Sequence, residues 1–292
     1  MSSNTPTWFT DALAQSYDAG EATVEGARIN YRAWGKPGRP VAVLVHGGAA
    51  HAGWWDHIGP LLTDGHRVVA IDLSGHGDSD HRPSYSLQMW AAEVLAVAKQ
   101  ESDAMPIVFG HSMGGFVALT TAKLFGDQLR GVVAIDSPVQ DLSSEAKAWI
   151  ASGRHVPGNK IYPTRDAILA RFRTLPEDDS TLGFAREHIA AGSIKEVEGG
   201  WTWKFDPNIF FRSRMEPEEL AQAACNVALI RGERGIATSD ITDVVSERLG
   251  GNVPVTVIRD AGHHIMLEQP VALLAALQTL LGQWSLNHRR GV

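Results

Sequence analysis

The strongest constraint on the fold is a series of short apolar runs that alternate with helical stretches. Six runs lack polar alternation, which is typical of strands buried on both faces of a parallel sheet. They lie at 41–45, 67–73, 106–110, 131–136, 227–232 and 255–260. Helical periodicity is found at 86–100, 115–126, 240–250 and 270–284. Together with a hairpin at 22–35, the pattern predicts an α/β fold with about eight mostly parallel strands flanked by helices.

The alternation stops in one long segment between the fourth and fifth runs. Residues 138–224 are polar and helix-rich, and they are too many for a simple loop. We interpret them as an inserted helical cap, or lid. The remaining residues, 1–137 and 225–292, would then form the α/β core.

The composition argues against several classes of partner. The 292 residues carry a net charge of −7, and basic residues cluster only in the terminal HRRGV, which disfavours nucleic acid and anionic membranes. Cys225 is the single cysteine, so neither an intrachain disulfide nor a cysteine metal cluster is expected. The sequence shows no signal-peptide pattern and no run of about 18 apolar residues. We therefore expect a cytoplasmic protein.

The stretch GHSMGG follows an apolar run and precedes a helical stretch. A nucleophile at the end of a parallel strand needs a sharp strand-to-helix turn with small neighbours. Gly110, Gly114 and Gly115 meet that need. The turn therefore predicts Ser112 as a nucleophile. The N–H of Met113, at the start of the helix, is predicted to be an oxyanion donor.

A second donor and a base are expected at the same edge of the sheet. The first apolar run is followed by VHGG, in which the N–H of Gly48 is the predicted second oxyanion donor. The last run is followed by AGHH, which puts His263 and His264 just beyond a strand end. His111, directly before the serine, is expected to be structural and to point the other way along its strand.

Four motifs, HGG, DLSGHGDSD, GHSMGG and GHHIMLEQP, together resemble the α/β-hydrolase family, and in particular its serine esterase and lactonase-like members with a helical cap. The resemblance extends over roughly residues 22–285. It implies that His263, directly after the glycine, is the base and that His264 flanks it. It also implies that Glu268 braces the loop.

The carboxylate that should orient the histidine is absent from its usual place. The family resemblance puts it after the penultimate strand, at a position that is Gly235 here. Asp136, at the end of the fourth apolar run, is our preferred replacement, because some lipases, dehalogenases, lactonases and cofactor-free dioxygenases of the family carry their acid there. Glu233 and Asp240 remain alternatives, since reach to the second nitrogen of the histidine decides the role.

Two further groups of residues lie near the predicted site. Asp72, Asp78 and Asp80 are interpreted as a structural turn, because no matching histidine–carboxylate spacing of a metal site accompanies them. Five tryptophans are candidates for the substrate pocket, although core or cap packing would explain each equally well. They are Trp54, Trp55, Trp149, Trp201 and Trp203.

These observations favour a serine hydrolase that cleaves a carboxylic ester or lactone of a small to medium apolar acid through an acyl-enzyme on Ser112. The alternatives are a carbon–carbon bond hydrolase, a cofactor-free dioxygenase, and a non-catalytic ligand receptor on the same scaffold. We expect a small-molecule substrate, no cofactor, no metal, and either a monomer or a homodimer.

Overall fold

A sheet of eight strands forms the centre of the chain in a computed structural model, which describes residues 5–152, 158–211 and 214–289. The strands of the chain are β1 (Asp18–Val24), β2 (Ala27–Trp34), β3 (Val41–Val45), β4 (Arg67–Ile71), β5 (Ile107–His111), β6 (Gly131–Ile135), β7 (Ile194–Val197), β8 (Gly200–Trp203), β9 (Asn226–Gly232) and β10 (Val255–Ile258). The large sheet has the order β1-β2-β4-β3-β5-β6-β9-β10. Only β1 with β2 and β2 with β4 pair in antiparallel fashion within this sheet of the described residues. The predicted mostly parallel α/β sheet is confirmed.

Helices cover both faces of this sheet. The α-helices of the described residues are α1 (Thr7–Ala14), α2 (Leu87–Glu101), α3 (Met113–Phe125), α4 (Ser144–Ala151), α5 (Arg165–Leu169), α6 (Gly183–Gly192), α7 (Ser239–Arg248), α8 (Ile265–Glu268) and α9 (Pro270–Arg289). Successive side chains of a strand point to opposite faces. Val43 and Val45 of β3 accordingly join one apolar cluster with α2, α3 and α7, whereas Ala42 and Leu44 join a second cluster with α1 and α9.

Most predicted bounds hold to within two residues, and the largest differences are at the end of α9, five residues beyond its predicted end, and at the start of β1, four residues before that of the predicted hairpin. Helix α3 begins at Met113, directly after the serine and two residues before its predicted start at Gly115. Strand β10 ends at Ile258, two residues before its predicted end. Helix α9 continues to Arg289.

The segment between β6 and β9 contains more than helices. It holds α4, α5 and α6, and also an antiparallel hairpin of β7 and β8. It is hydrogen-bonded to the turn that follows β4. Gly77 N–H donates to the Lys204 carbonyl oxygen at 2.7 Å, and Asp206 N–H donates to the Gly75 carbonyl oxygen at 2.8 Å. These bonds bring residues 204–211 close to the carboxyl edge of the sheet.

None of the helices within the described ranges combines the length and the apolarity that a membrane span requires.

A buried ion pair supports the turn beside that edge. Arg82 Nη2 lies 3.0 Å from Glu93 Oε1, and the two side chains are 7% and 0% exposed. The other oxygen of Glu93 accepts the Ser74 N–H at 2.9 Å. Burial raises the pKa of the Glu93 carboxyl, so its charge depends on these partners.

We predict that Arg82→Met lowers the free energy of unfolding by about 3–5 kcal/mol, because it leaves a buried carboxylate without its cation. Urea denaturation measures the change. Arg28→Met is the matched control. Its partners are Glu21 and Asp80, and all three side chains are more than 40% exposed, so a loss of about 0–1 kcal/mol is expected. Equal losses in the two variants would contradict this account of the turn.

Candidate active site

Ser112 lies in a strained turn between β5 and α3. Its backbone has φ 54° and ψ −118°, a combination of torsion angles that residues other than glycine rarely adopt. The N–H of Ser112 donates to the Ile135 carbonyl oxygen at 2.8 Å, and its own carbonyl oxygen accepts from Gly115 N–H at 2.9 Å. The strand and the helix therefore hold the serine in a conformation that it would not adopt alone.

The glycines around the serine are required by close packing. A Cβ atom on Gly110 would lie 1.9 Å from the Gly114 carbonyl oxygen, and one on Gly114 would lie 2.5 Å from the Val45 carbonyl oxygen. A Cβ atom on Gly115 would lie 1.8 Å from Ser137 Oγ. None of the three positions has space for a side chain.

His263 lies on the loop between β10 and α8 and reaches back to the serine. Its Nε2 is 3.1 Å from Ser112 Oγ. Glu268 holds this loop, because its two carboxylate oxygens accept the backbone N–H groups of Gly262 and His264. This is the bracing position that the sequence suggested for Glu268.

Asp136 completes a chain of hydrogen bonds. Its Oδ2 lies 2.7 Å from His263 Nδ1, and its side chain is fully buried. It also accepts the N–H of Gly232 at 3.1 Å and the N–H of Ile236 at 2.9 Å. Because an ionised carboxylate can only accept, Nδ1 of His263 carries the proton and Nε2 presents a lone pair to Ser112.

The three candidate carboxylates are therefore placed very differently. Glu233 accepts the Asp260 N–H at 3.0 Å at the surface, and Asp240 is exposed in the first turn of α7. Among the described residues, neither of them is hydrogen-bonded to His263. Gly235 explains the arrangement, since a Cβ atom there would lie 2.0 Å from Asp136 Oδ1. The carboxylate of Asp136 fills the space that a side chain at 235 would need.

The loop after β3 lies against the serine. A Cβ atom on Gly47 would be 3.3 Å from Ser112 Cβ. His46 holds the loop, because its Nδ1 donates to the Gly47 carbonyl oxygen at 2.7 Å and its Nε2 accepts the Leu73 N–H at 3.2 Å. In the described part of the chain, the N–H groups of Gly48 and Met113 have no hydrogen-bond acceptor. Two unpaired N–H groups beside a nucleophile can bind an oxyanion.

Comparison with known proteins agrees with this geometry. The model of the Alpha/beta hydrolase family matches residues 42–277. The chain is an α/β hydrolase. Esterase Rv0045c of Mycobacterium tuberculosis is 25% identical over 269 residues, which cover 88% of each chain.

Two solved structures share the fold of the hydrolase. One is a thioesterase domain from the curacin biosynthetic pathway, with a TM-score of 0.78, 21% identity, and coverage of 91% of this chain and 100% of that one. The other is E-2-(acetamidomethylene)succinate hydrolase, with a TM-score of 0.76, 21% identity, and coverage of 91% and 99%.

The tryptophan candidates divide into three groups in the hydrolase. Trp55 is fully buried in the core, so it does not line a substrate pocket in this structure. Trp54 is also buried, with its ring 5.4 Å from that of His264. Trp201 and Trp203 lie half-buried on β8, and Trp203 borders a cavity of about 360 Å³. The side chain of Trp149 lies outside the described residues.

The aspartates of the DLSGHGDSD motif do not converge. Asp72 is buried and accepts the N–H groups of Ala52 and Asp78, and burial raises its pKa to about 6. The side chain of Asp78 pairs with Lys204, and that of Asp80 pairs with Arg28. The motif forms the turn that the sequence suggested.

The sequence did not single out Phe210, which lies above the loop after β3, beside Gly48. A Cβ atom on Gly48 would be 3.5 Å from the edge of its ring, and the ring is 43% exposed. Neither helical nor strand periodicity of the sequence sets Phe210 apart from its neighbours in the stretch NIFF at 208–211. Only the chain path after β8 brings it to the site.

We predict that Gly235→Ala slows labelling of Ser112 by a fluorophosphonate probe by about 10²-fold, because the new methyl group displaces the Asp136 carboxylate from His263. Labelling rates followed by mass spectrometry measure the effect. Gly183→Ala is the control, since a Cβ atom there meets nothing within 4 Å. A wild-type rate for Gly235→Ala would mean that the carboxylate position does not matter for the nucleophile.

Proposed function

We propose that this α/β hydrolase cleaves carboxylic esters or lactones of small to medium apolar acids through an acyl-enzyme on Ser112. One observation supports the proposal most strongly. Ser112 Oγ, the His263 ring and the Asp136 carboxylate form one chain of hydrogen bonds of 3.1 and 2.7 Å at the carboxyl edge of the sheet. This arrangement is the geometry of an activated nucleophile, a base and the group that orients the base.

In the first step Ser112 Oγ attacks the carbonyl carbon while His263 Nε2 takes the hydroxyl proton. The ring then carries a positive charge, and Asp136 stabilises it through Nδ1–H without taking the proton itself. The two N–H donors to Asp136 keep its oxygens aimed at the ring. They also compensate for the burial of the carboxylate.

The oxyanion that forms in this step is expected to accept hydrogen bonds from Gly48 N–H and Met113 N–H. Both donors are preorganised, because one follows the loop held by His46 and the other begins α3. The positive end of the helix dipole favours negative charge at the same point. Collapse of the intermediate expels the alcohol, which receives the proton from His263.

Water completes the reaction. His263 is neutral again after it protonates the alcohol, so it can take a proton from a water molecule that attacks the acyl-enzyme. The second tetrahedral intermediate uses the same two N–H donors. Its collapse releases the acid and returns the proton to Ser112, so the protein carries no net change.

We propose that residues 138–224 act as a cap that sets the size of the acyl group. Phe210 lies over the oxyanion loop, and its ring is 6.1 Å from that of Phe205. Phe205 and Trp203 border the cavity of about 360 Å³. Polar and charged side chains line the rest of this cavity, among them His81, Lys195 and Asp206. Ser112 and His263 do not border it, so the proposed role of the cap in setting the acyl size depends on Phe210.

We predict that Asp136→Asn lowers kcat/KM on p-nitrophenyl butyrate by about 10⁴-fold, because the amide favours the wrong tautomer of His263. Glu233→Gln and Asp240→Asn remove the same charge outside this chain of hydrogen bonds, and we expect each to stay within about twofold of wild type. Ser112→Ala should remove nearly all turnover. Loss of activity in Glu233→Gln or Asp240→Asn, with Asp136→Asn active, would show that the acid is assigned incorrectly.

We also predict that Phe210→Ala shifts the preferred p-nitrophenyl ester towards longer acyl chains, with a relative change in kcat/KM of about tenfold between the octanoate and the acetate. Leu124→Ala is the control, since that side chain is 44% exposed at the far end of α3. An unchanged profile in Phe210→Ala would place the acyl pocket elsewhere.

A further inference from the structure

Three histidines meet beside the nucleophile. One ring nitrogen each of His111, His263 and His264 lies within 4.8 Å of the other two. The ring centroids are 4.7 Å apart between His111 and His263, 4.7 Å between His263 and His264, and 5.6 Å between His111 and His264. Their exposures are 1%, 4% and 6%. The mechanism above uses only one of these rings.

Each ring presents a nitrogen lone pair. His111 Nε2 donates to the His263 carbonyl oxygen at 2.9 Å, so its Nδ1 is bare, and no partner for it lies among the described residues. His263 Nδ1–H donates to Asp136, which leaves Nε2 unprotonated, with its lone pair directed at Ser112 Oγ, 3.1 Å away. Neither ring nitrogen of His264 makes a hydrogen bond of good geometry in the described part of the chain, and the backbone of Leu175 is the polar group that interacts with the ring, so at least one of its nitrogens is free to bind a ligand.

The surroundings of two of the three rings, those of His111 and His263, match those of metal-binding histidines. Such a histidine usually donates its other ring N–H to a carboxylate or a backbone carbonyl, which fixes the tautomer. His263 does so to the Asp136 carboxylate, and His111 does so to a backbone carbonyl. The buried negative charge of Asp136 also offsets part of the charge of a cation. These groups explain how a buried site of neutral ligands can accept a divalent ion.

We propose that His111, His263 and His264 bind one divalent transition-metal ion, such as Zn²⁺, and that the bound ion inhibits the hydrolase. Imidazole nitrogens suit Zn²⁺, Cu²⁺ and Ni²⁺, whereas Mg²⁺ requires oxygen ligands. Zn–N bonds of about 2.0–2.1 Å hold neighbouring nitrogens about 3.4 Å apart, so small side-chain rotations close the site. The bound ion occupies the lone pair of His263 Nε2. That lone pair is the one that would otherwise accept the proton of Ser112, so the serine is no longer activated. Only this inhibition, and not the binding, rests on the proposed function.

Zinc binding is tested directly on tag-free protein by competition with a chromophoric chelator. We expect one Zn²⁺ per chain in wild type, and at least about tenfold weaker binding in both His264→Phe and His111→Phe. His81→Gln is the matched control, since His81 is a half-exposed histidine outside the cluster and its loss should leave binding unchanged. Mg²⁺ should not compete.

Three further measurements separate binding from function and from misfolding. Ser112→Ala keeps all three ligands, so it should bind Zn²⁺ at least as tightly as wild type although it is inactive on esters. Co²⁺ bound to the same site should give the visible absorption of nitrogen coordination in wild type and in Ser112→Ala, but not in His264→Gln. On wild type, the inhibition constant of Zn²⁺ should equal its dissociation constant, and chelation should restore activity. The proposal is overturned if wild type binds no Zn²⁺, or if neither His264→Phe nor His111→Phe weakens binding; unimpaired turnover with Zn²⁺ bound would overturn the inhibition.

Discussion

The hydrogen bond between Asp136 and His263 is the contact on which the site depends. Its 2.7 Å length joins the end of β6 to the loop after β10, two segments 127 residues apart in the chain. A fully buried carboxylate is costly unless it is paired. Here the partners come from two neighbouring strand ends, because Gly232 and Ile236 lie at and after β9 and His263 follows β10. The order β6-β9-β10 is therefore needed both for the sheet and for the base.

Backbone strain accompanies this arrangement at two points. Ser112 and Asp136 both have positive φ values, of 54° and 45°, at the ends of adjacent strands. Each is held by a bond to the next strand, since Ser112 N–H donates to Ile135 and Asp136 N–H donates to Ile230. A sheet buried on both faces provides enough cohesion to maintain two strained residues. The turns after β5 and β6 thereby project the side chains of Ser112 and Asp136 beyond the carboxyl edge of the sheet.

The sequence predicted the sheet, the serine and the histidine, because each leaves a local signature. Continuous apolar runs mark buried strands, and the glycines around Ser112 mark a turn in which a Cβ atom would clash. The acid stayed open because its role depends on the reach of side chains between distant segments. The structure adds what the pattern lacks, namely that Gly235 leaves the volume that Asp136 occupies. The β7–β8 hairpin was missed because its strands have only four residues each and no buried alternation, and Phe210 was missed with it.

The cluster of histidines explains in physical terms why His263, rather than His264, is suited to be the proposed base. A base must carry a positive charge briefly, and a buried imidazolium needs a negative partner. Among the described residues only the His263 ring of this cluster is hydrogen-bonded to a carboxylate. Burial and the neighbouring ring keep the pKa of His264 far below neutrality, so that ring cannot hold the proton. Two adjacent residues of identical chemistry are thus separated in function by one carboxylate.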